Sequence, residues 1–524
     1  MRIRSTLALV ATTVVAASAL ALPTVPSATA DDPGEARTAL LETYLADTWR
    51  SMDAMTDPAT GLPADNIGGD LTAGSRSGYT SPTNIGAYLW STVVARDAGL
   101  ISGRAARERI STTLQTVAGL EIHEPSGMFY NWYDPATGTK LTTWPEGNHD
   151  PVHPFLSSVD NAWLATGLLV AARAIPRVAD RADAIREKMD FGYYYNGAEG
   201  VRKDPANAQE TVGGQLRGGF WVDPPPGCSV AGNYRGDAPV YFTCHHYGTF
   251  NTEPRMASYL GIASGQIPAR HYFGTVRTFP PSCDWSWTET TPTGEWREYE
   301  GINVYEGALP YRGMDIVPTW GGSMFEALMV PLFVPEEQWG PRSWGVNHPL
   351  YVQGQIEHGL DQAQYGYWGF SPSNNPAGGY REYGVDQLGS DGPGYTSDQE
   401  RTSWEQPYDG CRTGTAEPTT YGNGVVTPHA SFLAMRYAPD QALANLDKLR
   451  SNFDAYGPGG FYDAVAVGSG EVSREYLSLD QGMIVAALGN ALNGDSLRDY
   501  VSRGALRKKV RPLMAEEVFS SQGR

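Results

Sequence analysis

The chain predicts an all-α fold in which helices pair around a ring and aromatic loops gather at one end. Three observations lead there. Apolar residues recur at helical spacing in segment after segment from residue 35 onward. Few runs alternate with period two. No linker, low-complexity tract or fixed-period repeat divides the 524 residues. A helical solenoid would show such a repeat, so an α/α toroid is the better fit, with inner helices apolar all round and loops at one mouth forming a cleft.

Residues 1–30 stand apart. Arg2 and Arg4 form a basic start, an apolar core runs over 7–21, and Ala28-Thr29-Ala30 is a small-residue cleavage site. This reads as a secretory signal cleaved near Ala30, leaving a single domain over 31–524. The first expected helix covers 40–55. The next, 83–98, opens on Ser81-Pro82 and carries Ile85, Tyr88, Leu89 and Val93 on one side. Helices follow over 104–120, 157–175, 179–191, 252–263, 322–333, 349–362, 426–437, 440–453 and 477–492, and residues 219–222 make a short extended piece.

Composition narrows the function. A net charge of -19 argues against nucleic acid or an anionic membrane as partner. No run after the signal approaches a membrane span, so a released monomer acting on a neutral substrate is expected. The 14 tryptophans are many, and Trp144, Trp285, Trp287, Trp296, Trp344 and Trp368 fall in Gly/Pro-rich stretches. Any one could be a core residue; so many in loops is a pattern of carbohydrate clefts. The four cysteines of an exported chain point to two disulfides. Of three possible connectivities, Cys228 with Cys244 and Cys283 with Cys411 is the expected one. CxxC spacing is absent, which argues against structural zinc.

The candidate chemistry lies in carboxylates at helix edges. In Pro318-Thr319-Trp320-Gly321-Gly322-Ser323-Met324-Phe325-Glu326, Trp320 offers a flat face for a sugar ring and glycines permit close backbone approach. Glu326 on the first turn could be a nucleophile or acid–base group, or only a partner of the helix dipole. Asp160, in Ser158-Val159-Asp160-Asn161, reads first as a helix-start acid. Glu253 follows His245-His246-Tyr247-Gly248-Thr249-Phe250-Asn251-Thr252. Asn251 or Thr252 could cap a helix there, while His246 and Tyr247 could wall a polar cleft. Asp391, in Ser390-Asp391-Gly392-Pro393, reads as a turn unless it lines a cleft. Asp463, in Gly459-Gly460-Phe461-Tyr462-Asp463, is a loop acid or part of a hairpin. HExxH, GxSxG, GxGxxG and P-loop patterns are absent, so neither a metal nor a nucleotide cofactor is expected, and no calcium-ligand spacing appears. Two carboxylates acting on a glycosidic bond are what remains.

As a set these motifs, with Thr80-Ser81-Pro82-Thr83-Asn84-Ile85-Gly86 before them and Asp480-Gln481-Gly482 after them, resemble the bacterial glucoamylase-like proteins. That group includes endo-β-1,2-glucanases and the transglycosylase domain of cyclic β-1,2-glucan synthases. The resemblance spans about residues 40–500 and implies an (α/α)6 toroid acting on an oligo- or polysaccharide. It implies Glu253 as the acid, although this chain has Phe-Asn-Thr-Glu where many relatives have Tyr-Asn-Glu. By the synthase pattern Glu326 is the second carboxylate of a retaining reaction. By the glucanase pattern Asp463 is the base of an inverting one. Asp160 falls where the family places a carboxylate in the substrate cleft.

Overall fold

The computed structural model describes residues 33–197, 213–234, 236, 238–281, 290–390 and 421–523. The signal segment 1–30, Asp391, Cys283 and Cys411 lie outside the described residues.

The long helices form where apolar spacing places them: Pro33–Met55, Pro82–Asp97, Gly103–Val117, Ser158–Ala174, Ala179–Arg186, Arg255–Ser264, Trp344–Glu357, Pro428–Ala434, Pro439–Asn452 and Ser478–Leu492. They fall into two kinds. Pro82–Asp97, Ser158–Ala174 and Ser478–Leu492 are buried almost end to end. Gly103–Val117 buries only Ala106, Ile110, Thr113, Leu114 and Val117, one stripe at helical spacing. The fully buried kind pack on one another: Ser478–Leu492 meets Pro82–Asp97, which meets Ser158–Ala174, which meets Arg255–Ser264. Met324–Leu328 lies against Pro428–Ala434, and that helix against Ser478–Leu492. The striped helices lie outside them, Gly103–Val117 on Pro82–Asp97 and Pro439–Asn452 on Pro428–Ala434.

Glycine sets the closest crossing. A Cβ on Gly167 would sit 2.6 Å from the Gly86 backbone, and one on Gly86 would sit 2.4 Å from the Trp163 carbonyl. The two helices touch main chain to main chain there, which any side chain would prevent. One contiguous core of buried apolar side chains extends from Leu41 to Phe519.

The expectation of an all-α fold needs correction, because antiparallel sheets are interleaved with the helices. One sheet orders Phe155–Ser157, Gly219–Trp221, Ala238–Thr243 and Ser229–Tyr234, and the Cys228–Cys244 disulfide staples its outer hairpin. Another joins Thr293–Tyr299, Ile302–Tyr311 and Met314–Ile316. The strand Ile302–Tyr311 has no period-two signature because most of it is buried on both faces. Glu306 lies inside it, 3.8 Å from Arg277, which is itself bonded to Glu517; burial and the Glu517 charge raise the Glu306 carboxyl to about 8 against the pull of Arg277. The helix expected over 322–333 is broken as well. Met324–Leu328 gives way to a 3-10 turn, Val330–Leu332, at Pro331, which has no N–H to continue the ladder. Helices that the spacing did not indicate, Ser496–Ser502, Ala505–Lys509 and Arg511–Glu516, close the C-terminus. Among the described residues no helix is long and apolar enough to cross a membrane.

Candidate active site

The Trp-Gly-Gly motif makes a sharp turn. Gly321 and Gly322 have φ of 60° and 69°, in the left-handed region that favours glycine. A Cβ on Gly322 would lie 1.9 Å from the Val385 carbonyl. The segment 383–390 therefore packs directly on the turn, with Thr319 donating to Leu388 at 3.0 Å and Ser390 to Thr319 at 2.8 Å. Ser323 then caps the helix by accepting from the Glu326 amide at 3.2 Å. This seats Glu326 on the first turn, facing a cleft of about 730 Å³.

Glu253 meets it there. The helix expected from 252 begins instead at Arg255, and neither Asn251 nor Thr252 caps it. The turn before the helix points at Glu326: the Glu253 amide donates to Glu326 Oε2 at 2.6 Å, and the Thr252 hydroxyl donates to the same oxygen. Glu253 receives the indole N–H of Trp163. Burial, and then the charge of Glu326, push the Glu253 carboxyl well above the usual range, against the pull of that indole. Burial raises Glu326 too, but Thr252, the Glu253 amide and Arg255 all favour its ionised form.

Arg255 locks the two segments together. It donates to the carbonyls of Thr252 (2.8 Å), Glu326 (2.8 Å) and Ala327 (2.6 Å). Its remaining donors engage buried Glu336 at 2.8 and 3.0 Å. Tyr259 and His348 complete the ligation of Glu336 at 2.8 and 3.0 Å. Burial alone would raise Glu336, yet Arg255 and His348 hold it down to about 2. The buried ion pair thus stays charged and fixes the backbone beneath both glutamates.

Further carboxyl groups line the same cleft: Asp65, Glu146, Asp160, Glu382 and Glu475. Asp160 accepts from Thr83 at 2.7 Å, and Asp65 from Asn84 at 2.8 Å. Burial raises both. Trp320 and Tyr247 line the cleft, as do Tyr79, Trp132, Trp144 and Tyr380. Asp65, Glu146, Glu382 and Glu475 were not singled out from the sequence. Glu146 lies between Pro145 and Gly147 in a tryptophan loop, the same signal that marked the others; Asp65 has no comparable flank.

Two sequence candidates do not reach the cleft. His246 and Tyr247 share a short strand, so their side chains point to opposite faces. Tyr247 faces the cleft, while His246 lies within 3.0 Å of Asn196. Asp463 is 2% exposed beneath the floor, where it accepts from the Asn374 amide at 2.6 Å. Burial and the neighbouring Asp480 carboxyl raise it well above the usual range. Asp480 is 2.8 Å from His429, which burial pushes down to about 4. Among the described residues, no group of three or more His, Cys, Asp or Glu side chains is placed to hold a metal ion.

Residues 285–502 match the Glycoamylase family model. Over 280 residues, 52% of this chain, the sequence is 27% identical to cyclic beta-(1,2)-glucan synthase NdvB of Rhizobium meliloti (strain 1021). The chain spans only 8% of that much longer relative. Similar solved structures include the endo-beta-1,2-glucanase of Chitinophaga pinensis in its sophorotriose and glucose complex. It is 16% identical, with a TM-score of 0.59 over 91% of this chain and 97% of that one. The beta-1,2-glucanase of Parabacteroides distasonis is 14% identical, with a TM-score of 0.61 over 91% of this chain and 60% of that one. The endo-beta-1,2-glucanase of Talaromyces funiculosus with sophorose is 12% identical, with a TM-score of 0.57 over 92% and 88%. At these identities the structural likeness is one of fold.

Proposed function

We propose that this relative of the endo-β-1,2-glucanases and cyclic β-1,2-glucan synthases cleaves or transfers β-1,2-glucan chains by a retaining mechanism. Glu253 is the acid–base residue and Glu326 the nucleophile. The observation that carries the reading is the unequal treatment of two adjoining carboxyls in one cleft. Glu326 is surrounded by donors that favour its charge, and Glu253 is desolvated beside that charge, so Glu253 is the one assigned the proton.

The steps follow from that division. Glu326 attacks the anomeric carbon as the glycosidic C–O bond breaks, and Glu253 gives its proton to the departing oxygen. The glycosyl ester on Glu326 is then opened by water, or by a sugar hydroxyl, whose proton returns to Glu253. Asp160 and Asp65 serve as hydrogen-bond acceptors for sugar hydroxyls, and Trp320 and Tyr247 as walls for the ring faces. Asp463, buried beneath the cleft, takes no part in the chemistry under this reading.

The surrounding expectations belong to the same proposal. The run of buried helices packed on one another supports reading the fold as an (α/α)6 ring with its cleft at one mouth. The protein is read as a secreted, monomeric single domain over 31–524 after removal of the signal near Ala30. The Cys228–Cys244 disulfide supports an oxidising compartment.

Proton NMR of β-1,2-glucan with the purified protein tests the reading. An initial β-anomer supports retention through Glu326. An initial α-anomer removes Glu326 as nucleophile, and absence of product withdraws the linkage and sends the search to other glycans.

A further inference from the structure

We propose that Tyr79, Trp132 and Trp144 form a sugar-stacking subsite in the cleft that holds the glutamate pair, binding an uncharged glycosyl residue of a longer chain. This rests on the glucan-cleaving reading above and deepens it, because such a subsite makes the enzyme one that acts within or on extended chains.

The three rings form one cluster. Tyr79 and Trp144 centroids are 4.6 Å apart at 39°, Trp132 and Trp144 are 5.5 Å apart at 88°, and Tyr79 and Trp132 are 5.4 Å apart at 84°. Each ring lines the cleft and is only partly buried. Core tryptophans such as Trp90 and Trp163 are fully buried. Packing needs alone do not leave three large aromatics open to one cavity.

Their position follows from the row of acids. Glu326 adjoins Glu253, Glu253 is within reach of the Asp160 charge, and Asp160 of Asp65. Beyond Asp65, the Tyr79 phenol is influenced by both Asp65 and Glu146, and Glu146 in turn by Glu475. Neighbouring Thr83 and Asn84 bond Asp160 at 2.7 Å and Asp65 at 2.8 Å, and Asn66 is 3.3 Å from both Asp65 and the Tyr79 hydroxyl, so the aromatic cluster adjoins Asp65, with Glu146 and Glu475 in the same cleft as acceptors for hydroxyls. Two carboxylates there favour a neutral sugar over an anionically substituted one.

The platform is preorganised. Trp144 donates its amide to Asp150 at 2.8 Å, Leu141 to Trp132 at 3.0 Å, and Val152 to Thr142 at 2.9 Å. Glu146 accepts from the Gly78 amide at 3.2 Å, tying the loop to the segment that carries Tyr79. A ring held in this way loses little freedom on stacking.

The test uses β-1,2-glucooligosaccharides of increasing length, with turnover by the native protein and Trp144→Ala, and calorimetric binding in the Glu253→Gln background. The expected result is a loss in kcat/KM, carried by KM, that widens from the shortest cleaved chain to about tenfold on the longest. Trp144→Phe recovers part of it. An equal loss at every length, or a lowered Tm with no length dependence, overturns the subsite. Length-dependent binding that Trp144→Ala abolishes, without turnover by the native protein, keeps the subsite and rejects the catalytic reading. Absence of binding to any of these chains overturns both.

Discussion

The main-chain N–H of Glu253 and the carboxylate of Glu326 are bonded at 2.6 Å, across 73 residues of sequence. A backbone donor cannot be removed by changing a side chain, so the charge on Glu326 is stabilised wherever Glu253 is seated. Replacement of Glu253 by glutamine should keep this bond and the fold while removing the proton. The expected loss in kcat is about 10²–10⁴-fold with Tm unchanged, read by steady-state kinetics beside thermal melts. Full activity in Glu253→Gln would end the assignment.

The two glutamates should also shape the pH profile. Activity needs Glu326 ionised and Glu253 protonated. Both are raised from the ordinary range, Glu253 further. Activity therefore falls as pH drops through the raised Glu326 value and as it climbs through the higher Glu253 value. A bell in kcat/KM displaced above the usual carboxylate range is expected, with the basic limb missing in Glu253→Gln. A profile whose basic limb survives that substitution would assign the limb to another group.

Thr252 gives its hydroxyl to Glu326 in place of capping a helix. Thr252→Val removes one donor to a charged group, worth about 1.5–3 kcal/mol. That corresponds to about 10–100-fold in kcat, with the acidic limb moved to higher pH. Thr252→Ser should restore most of the rate. An unchanged acidic limb in the valine variant would mean the hydroxyl does not stabilise the Glu326 charge.

Arg255 is the stability element of the site. Arg255→Ala would strand the buried Glu336 carboxylate, which the arginine, Tyr259 and His348 now ligate. A destabilisation of about 3–5 kcal/mol is expected, measurable by denaturant melts. A cost below about 1 kcal/mol would show that the ion pair does little net work.

Beneath the cleft, Asp480 is pushed up to about 7 by burial, against about 3.9 for a free aspartate. The folded protein therefore holds a proton that the unfolded chain gives up. This contribution to stability is complete below about pH 3.9 and is lost as pH rises through about 7. Asp480→Asn should flatten the decline of Tm over that window. An identical slope in the variant would place the titration elsewhere.

Much was legible in the residues themselves. The long helices announced themselves by apolar spacing, one of them opened by Ser81-Pro82, while the cap at Ser157 was seen only in the structure. Glycine pairs beside aromatics marked the turn that seats Glu326. The strand Ile302–Tyr311 was not legible, because burial on both faces erases alternation, and the arginine that faces its buried Glu306 lies 29 positions earlier in the chain. Which acids share a cleft was not legible either. Asp463 and Glu326 carry the same local signal of glycine and aromatic neighbours. Only the packing of distant segments puts Glu326 beside Glu253 along the cleft and Asp463 beside Asp480 away from it. Local sequence determines helix starts and turns because those depend on a few neighbouring residues; burial, charge pairing and protonation depend on what the whole fold brings within a few ångströms.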